Sequence, residues 1–137
     1  MKIRHSGIVV SNFPKAIHFY CEILGFHIIK QNIESSPWID EIFQKDGMEI
    51  TTIKFEEGLE LIVIKKFRPI KWIEFKLYDV GISHISFTTK NLEQLYDKLK
   101  EAQIPYLSSI KNNRDETIKV FFCQDYDGNY LEFVEET

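Results

Sequence analysis

A repeated segment constrains this chain more than any other feature. HSGIVVSN at residues 5–12 and HISFTTKN at residues 84–91 each place a histidine in a β-rich run that ends in asparagine. In both places, a run with the helical spacing of apolar residues follows. The sequence therefore predicts two copies of one supersecondary unit.

Periodicity predicts the order strand–helix–strand–strand–strand in each copy. In the first copy the strands are expected at 3–10, 26–33, 48–55 and 59–64, with an additional single helical turn at 37–43. In the second copy they are expected at 82–89, 104–110, 117–123 and 130–134, and Asn91 should cap the helix. These elements define an α+β chain with a first module at 1–65, a connecting segment at 66–81 and a second module at 82–137.

Composition disfavours two classes of partner. The net charge is −4 and no basic stripe is present, which argues against nucleic acid. No apolar run approaches the length of a membrane span, and the N-terminus lacks the apolar core of a signal peptide. We therefore expect a cytoplasmic protein that does not associate with membranes and whose partner is a small molecule.

Each copy also ends in an apolar strand that contains one acidic residue, Glu60 in GLELIVI and Glu132 in YLEFV. Because alternate side chains of a strand point to the same face, Glu60 shares a face with Ile62 and Ile64. If this face is interior, the carboxylate is buried. A buried carboxylate is strongly unfavourable unless a cation or a proton neutralises it.

The repeated ionisable residues form a candidate metal site. His5 and His84 fall in the first strand of the two copies, and Glu60 and Glu132 fall in the last strand. A single histidine or glutamate on a strand more often lies at the surface, but here both recur at equivalent positions. Two imidazoles and two carboxylates suit a divalent transition metal, zinc, nickel or cobalt first and manganese or iron next, better than calcium or magnesium.

With these residues the chain resembles the vicinal oxygen chelate superfamily, which includes glyoxalases, bleomycin resistance proteins and extradiol dioxygenases. The resemblance rests on two βαβββ modules, on HSGIVVSNFPKAIHFYCEILGF at 5–26 and on FFCQDYDGNYLEFVE at 121–135. Tyr126 replaces the proline that is usual in the family's last turn. The resemblance implies curled mixed sheets around a metal cleft, which closes within one chain or across a homodimer. We expect a homodimer.

The ligand pattern is closest to that of lactoylglutathione lyase, which uses histidine and glutamate in both modules. This similarity implies a lyase or isomerase that moves a proton next to a carbonyl of a small bidentate substrate. Either Glu132 or Glu60 would act as the base.

The substrate should differ from that of bacterial glyoxalases. Val9 and Ile64 stand where those enzymes commonly carry the arginine and asparagine that bind glutathione. We therefore expect weak turnover of a glutathione hemithioacetal and a carbonyl substrate with a different tail. Arg68, Lys71 and Lys119 are candidate contacts for that tail.

Two other functions are open on the same scaffold. A non-catalytic ligand-binding protein of the resistance type would sequester its ligand, although such a protein has no need of four metal-binding groups. An Fe(II) dioxygenase would use His5, His84 and Glu132 as a facial triad. Glu60 as a fourth ligand would then occupy the position that O₂ needs.

Overall fold

A computed structural model describes residues 1–70 and 74–136 and divides the chain into two compact units, Met1–Trp72 and Ile73–Thr137. Each unit contains one four-stranded mixed sheet, which confirms the predicted α+β class. Residues 71–73 of the predicted connecting segment lie outside the described residues. The module boundaries at 65 and 82 stay a prediction.

The first unit follows the predicted order of elements. It contains β1 (Ser6–Val10), α1 (Phe13–Ile17), β2 (Ile28–Glu34), α2 (Pro37–Phe43), β3 (Ile50–Phe55) and β4 (Leu59–Ile64). The strand order is β1-β4-β3-β2, and only the β1–β4 pair is parallel. Asn12 caps α1 by accepting a hydrogen bond from the backbone N–H of Lys15. After α1 the chain continues as a π-helical turn, His18–Ile23, where the sequence predicted a regular helix.

This helical segment covers one face of the first sheet. Its buried side chains recur at helical spacing and are Ala16, Phe19, Tyr20 and Ile23. The ring of Tyr20 lies 6.1 Å from that of Phe55 in β3. Along β4, Leu59, Leu61 and Val63 are buried in this core. Because side chains alternate along a strand, Glu60 points to the opposite face, which we call the ligand-bearing face of this sheet.

The second unit repeats the arrangement. It contains β5 (Ile85–Thr88), α3 (Leu92–Glu101), β6 (Lys111–Asn112), β7 (Ile118–Gln124) and β8 (Tyr130–Glu136). The strand order is β5-β8-β7-β6, again with one parallel pair, between β5 and β8. Helix α3 covers the face of Phe121, whose ring lies 5.4 Å from that of Tyr96. Glu132 lies on the opposite face, the ligand-bearing face of the second sheet.

The prediction of a strand at 104–110 is wrong. Leu107 makes an isolated bridge to Cys123, and the regular strand β6 is confined to Lys111–Asn112. Pro105 has no N–H to donate to a ladder. The hydroxyl oxygen of Ser108 accepts a hydrogen bond from the backbone N–H of Phe122 at 2.9 Å, so a side chain replaces a backbone carbonyl there. No helix within the described ranges is long and apolar enough to span a membrane.

Candidate metal centre

Each unit brings together one histidine and one glutamate. In the first unit, Nε2 of His5 lies 3.8 Å from Oε1 of Glu60. In the second unit, Nε2 of His84 lies 3.6 Å from Oε2 of Glu132. Each unit therefore brings one of the two histidines close to one of the two glutamates, while the joining of all four residues in one metal site stays a prediction.

Parallel pairing of the first and last strand explains both contacts. Gly7 in β1 is the register partner of Glu60, and Ser86 in β5 is the register partner of Glu132. Each histidine lies two residues before that partner and so projects from the same face. The histidines were predicted within strands, but the regular strands begin directly after them, at Ser6 and Ile85.

The four side chains differ in burial. The side chain of Glu60 is 11% exposed and that of Glu132 is 22% exposed, whereas those of His5 and His84 are 35% and 34% exposed. Glu60 is thus the carboxylate that most needs a neutralising partner. The histidines present their rings to solvent and to any bound ligand.

The donor atoms fit a divalent transition metal. Nitrogen and oxygen ligands bind such an ion at about 2.1 Å, so two of them can be at most about 4.2 Å apart. The separations of 3.8 and 3.6 Å meet this limit in both pairs. Within either unit the described residues form no group of three or more potential ligands, so one unit alone supplies two.

Hydrogen bonds orient the ring of His84. Oγ of Ser83 donates its single proton to the carbonyl oxygen of Leu77 at 2.9 Å. Nδ1 of His84 lies 3.1 Å from the same Oγ, which can only accept there, so in a neutral ring the proton is on Nδ1. The lone pair is then on Nε2, the nitrogen that faces Glu132. Such a second hydrogen bond is usual for histidines that bind metals.

Glu60 has a second partner that the sequence analysis missed. Nζ of Lys54 lies 3.4 Å from Oε2 of Glu60, and Lys54 is the register partner of Glu60 in the β3–β4 hairpin. Lys30 in β2 is in turn the register partner of Lys54. The predicted hairpin contained the signal, because Lys54 and Glu60 are equally far from residue 57 at the centre of the turn.

The second unit has an aromatic residue at the equivalent position. The register partner of Glu132 is Phe122, whose ring lies 5.1 Å from the ring of His84 in an edge-to-face contact. Among the described residues of this unit, no lysine or arginine pairs with Glu132. The surroundings of the two glutamates are therefore cationic in one unit and aromatic in the other.

Ile64 and Val9, which stand where bacterial glyoxalases commonly carry glutathione-binding residues, have different surroundings. Ile64 packs against a buried apolar cluster of Ile39, Met48 and Ile50, to which α2 contributes. Its apolar character is therefore explained by packing. Val9 is 42% exposed on the ligand-bearing face and could not hold a charged tail.

Of the three candidate tail contacts, Lys119 lies on the face opposite the ligand-bearing one. Lys119 shares the helix-covered face of β7, and its Nζ pairs with Oε1 of Glu93 in α3 at 2.9 Å. This hydrogen bond raises the pKa of the Lys119 ammonium. Arg68 is exposed. Lys71 lies outside the described residues.

Comparison with known proteins agrees with this architecture. The chain is 27% identical over 139 residues to the protein YurT of Bacillus subtilis, which covers 99% of this chain and 100% of the relative. A glyoxalase family protein from Bacillus cereus superposes with a TM-score of 0.83 at 16% identity, covering 99% of this chain and 94% of that one. The trypanothione-dependent glyoxalase I of Leishmania major superposes with a TM-score of 0.64 at 19% identity, covering 99% and 87%.

The sequence model of one family spans nearly the whole chain. It matches residues 2–133 and describes the glyoxalase/bleomycin resistance protein/dioxygenase superfamily. This extent includes all four candidate ligands and every strand except the last three residues of β8. The chain belongs to the glyoxalase/bleomycin resistance protein/dioxygenase superfamily.

Proposed function

We propose that this protein is a metal-dependent, glyoxalase-like lyase or isomerase that moves a proton next to a carbonyl of a small substrate bound through two oxygens. The observation that carries this proposal is the His–Glu contact at equivalent positions of two sheets with the same strand order. Superfamily membership supports it, because that superfamily includes glyoxalases.

One divalent transition metal would be held by His5, Glu60, His84 and Glu132, with zinc, nickel or cobalt as the first candidates. When bound, such an ion polarises the substrate carbonyl and makes the adjacent C–H bond more acidic. The protein's part is to fix the ligands. Ser83 does so for the ring of His84 by leaving Nε2 unprotonated.

Glu132 suits the role of the base better than Glu60 does. Lys54 lies against one oxygen of Glu60, and the side chain of Glu60 is the least exposed of the four. These surroundings suit a carboxylate that stays in place as a metal ligand. Glu132 is more exposed and has no lysine or arginine partner among the described residues of its unit. Its carboxylate can take a proton from a carbon of the substrate. It can then return the proton to the neighbouring carbon or to the opposite face of the same carbon.

We place the substrate outside the glutathione hemithioacetals. Val9 offers no charged group on the ligand-bearing face, and Ile64 is used for packing against the cluster under α2. The proposed metal site should accept another carbonyl compound that presents two neighbouring oxygens. We also propose a homodimer, which light scattering of the purified protein would test.

Solvent-deuterium incorporation tests the proposed reaction. The metal-loaded protein is incubated in D₂O with α-hydroxy ketones, acyl thioesters and hemithioacetals, and exchange is followed by proton NMR. Glu132→Gln should reduce the exchange rate by about 10²- to 10⁴-fold, the usual contribution of a general base. Glu136→Gln, an exposed position on the same face of β8, is the matched control and should exchange normally.

Two outcomes would contradict parts of this proposal. Unchanged exchange in Glu132→Gln would remove Glu132 from the role of base. Metal-loaded protein that catalyses no exchange into any of these carbonyl compounds would contradict the reaction itself.

A second candidate is a metal-free ligand-binding protein on the same scaffold. The Lys54–Glu60 ion pair favours it, because Lys54 already neutralises the most buried of the four groups. Elemental analysis discriminates between the candidates: bound zinc, nickel or cobalt supports the enzyme, and a protein that takes up no metal on reconstitution supports the binding function.

A further inference from the structure

We infer that Lys54 is a resident counter-ion of Glu60 that competes with the metal and lowers the affinity of the site for it. This inference rests on the proposed function, because it concerns the same metal. It adds a residue that neither the four-ligand pattern nor the repeat contains.

The two oxygens of Glu60 face different partners. Oε1 lies 3.8 Å from Nε2 of His5, and Oε2 lies 3.4 Å from Nζ of Lys54. The lysine side chain is 27% exposed and the glutamate side chain 11% exposed, so water screens this pair only in part. The single negative charge of Glu60 is therefore already neutralised before any metal arrives.

The fold does not require a lysine at this position. In the second unit, the equivalent register partner of Glu132 is Phe122, and the sheet there has the same strand order. A lysine between Lys30 and Glu60 also places two like charges in register on neighbouring strands, which is unfavourable for the sheet. The ammonium of Lys54 is thus explained by the charge of Glu60.

A divalent ion at Glu60 must share that carboxylate with the ammonium. The repulsion between the two cations opposes metal binding, and partial burial preserves this repulsion. Removing the charge of Lys54 should then make the metal bind more tightly. If Lys54 instead served to position Glu60 as a ligand, its removal would weaken metal binding, so the sign of the change separates the two roles.

Zinc titration of the full chain against a chromophoric chelator tests this inference. The variant Lys54→Met removes the charge and keeps the aliphatic side chain, and we expect it to bind zinc about tenfold more tightly. Lys54→Arg keeps the charge and should bind zinc as the unmodified protein does. Lys30→Met removes a lysine from the next strand, which does not contact Glu60, and should change the affinity much less.

The possible outcomes separate this inference from the proposed function. If the unmodified protein binds zinc and Lys54→Met binds it equally tightly or more weakly, the inference is overturned and the proposed function is not. Absence of zinc binding in both proteins would contradict the metal site and the inference with it. Melting curves of the metal-free variants establish that each is folded, and Lys54→Gln provides a second neutral variant in case Lys54→Met is not.

Discussion

The two units of this protein share a strand order and a His–Glu contact, but they surround the glutamate differently. In the first unit, Lys54 faces Glu60 and the carboxylate is nearly buried. In the second, Phe122 lies opposite Glu132, and the ring of His84 packs on Phe122. Two sheets of the same topology thus carry opposite kinds of neighbours on their ligand-bearing faces.

This difference separates the requirements of the fold from those of the site. The helix-covered face of each sheet must be apolar, because it forms the core of its unit. On the ligand-bearing face of the first sheet, Ile62 and Ile64 pack against the cluster under α2. The residues next to the glutamates have no such constraint, so they can diverge between the units while the ligand pairs are kept. Equivalent substitutions in the two cores should then change stability by similar amounts. Equivalent substitutions around the two glutamates should differ in their effects on stability and metal affinity.

The largest effect is expected for the leucines that directly precede the two glutamates. Leu59 and Leu131 are 1% and 0% exposed, and replacing either by alanine leaves a cavity. Each change should lower the free energy of unfolding by about 2–5 kcal/mol in urea denaturation. Val9→Ala, on an exposed position, is the control. A loss below 1 kcal/mol in only one unit would show that the two cores are not equivalent.

The last turn of the second unit should be more sensitive than the corresponding turn of the first. Asp125 is 4% exposed, and its carboxylate accepts hydrogen bonds of 2.9 Å from the backbone N–H groups of Asp127 and Asn129 and from the side chain of Asn129. Asp125→Ala leaves these donors without their acceptor and should cost about 1–3 kcal/mol of unfolding free energy.

Glu56→Ala is the comparison in the β3–β4 turn, where the side chain is exposed. This substitution should change stability by less than about 0.5 kcal/mol. Equal losses in the two turns would mean that the hydrogen bonds of Asp125 do not stabilise the second unit.

The hydrogen bond between Ser83 and His84 should contribute to metal affinity rather than to stability. Ser83→Ala removes the acceptor for Nδ1 of His84, so the ring loses its orientation. Zinc affinity should fall about tenfold, the lower end of the usual effect of such partners. Ser86→Ala, at an exposed position of the same sheet, should leave the affinity unchanged, and equal affinities in all three proteins would contradict the assigned ring orientation.

The two glutamates should differ in the metal-free protein. Glu60→Gln leaves Lys54 without its counter-ion and should destabilise the first unit by about 1 kcal/mol, the range of a partly exposed ion pair. In the described part of the second unit, no lysine or arginine pairs with Glu132. Glu132→Gln should therefore change stability less than Glu60→Gln does. Chemical denaturation in the presence of a chelator measures both, and the reverse order would contradict the role given to Lys54.

Much of this arrangement could be predicted from the sequence, because apolar alternation and turn residues are local signals. The strand at 59–64 and the helix at 37–43 lie where the pattern places them. The histidines and glutamates were found because they recur at equivalent positions of two copies. Their contacts follow from the parallel pairing of first and last strands.

The missed features depend on contacts between distant segments. The π-helical turn at His18–Ile23 places Phe19 and Tyr20 in the core, and helical periodicity alone does not distinguish it from a regular helix. The pairing of Lys54 with Glu60 becomes apparent only when the register of the β3–β4 hairpin is applied to the two residues. The sequence offers Lys119 only as a candidate substrate contact, because its pairing with Glu93 depends on how α3 packs on the sheet.

The metal content of the reconstituted protein tests the central claim most directly. Elemental analysis should find one divalent transition metal per chain in the unmodified protein. His5→Ala and His84→Ala each remove one ligand from a different unit, and both should retain little metal if the two pairs hold one ion. Equal and negligible metal in all three proteins, or full metal in either variant, would contradict the site proposed here.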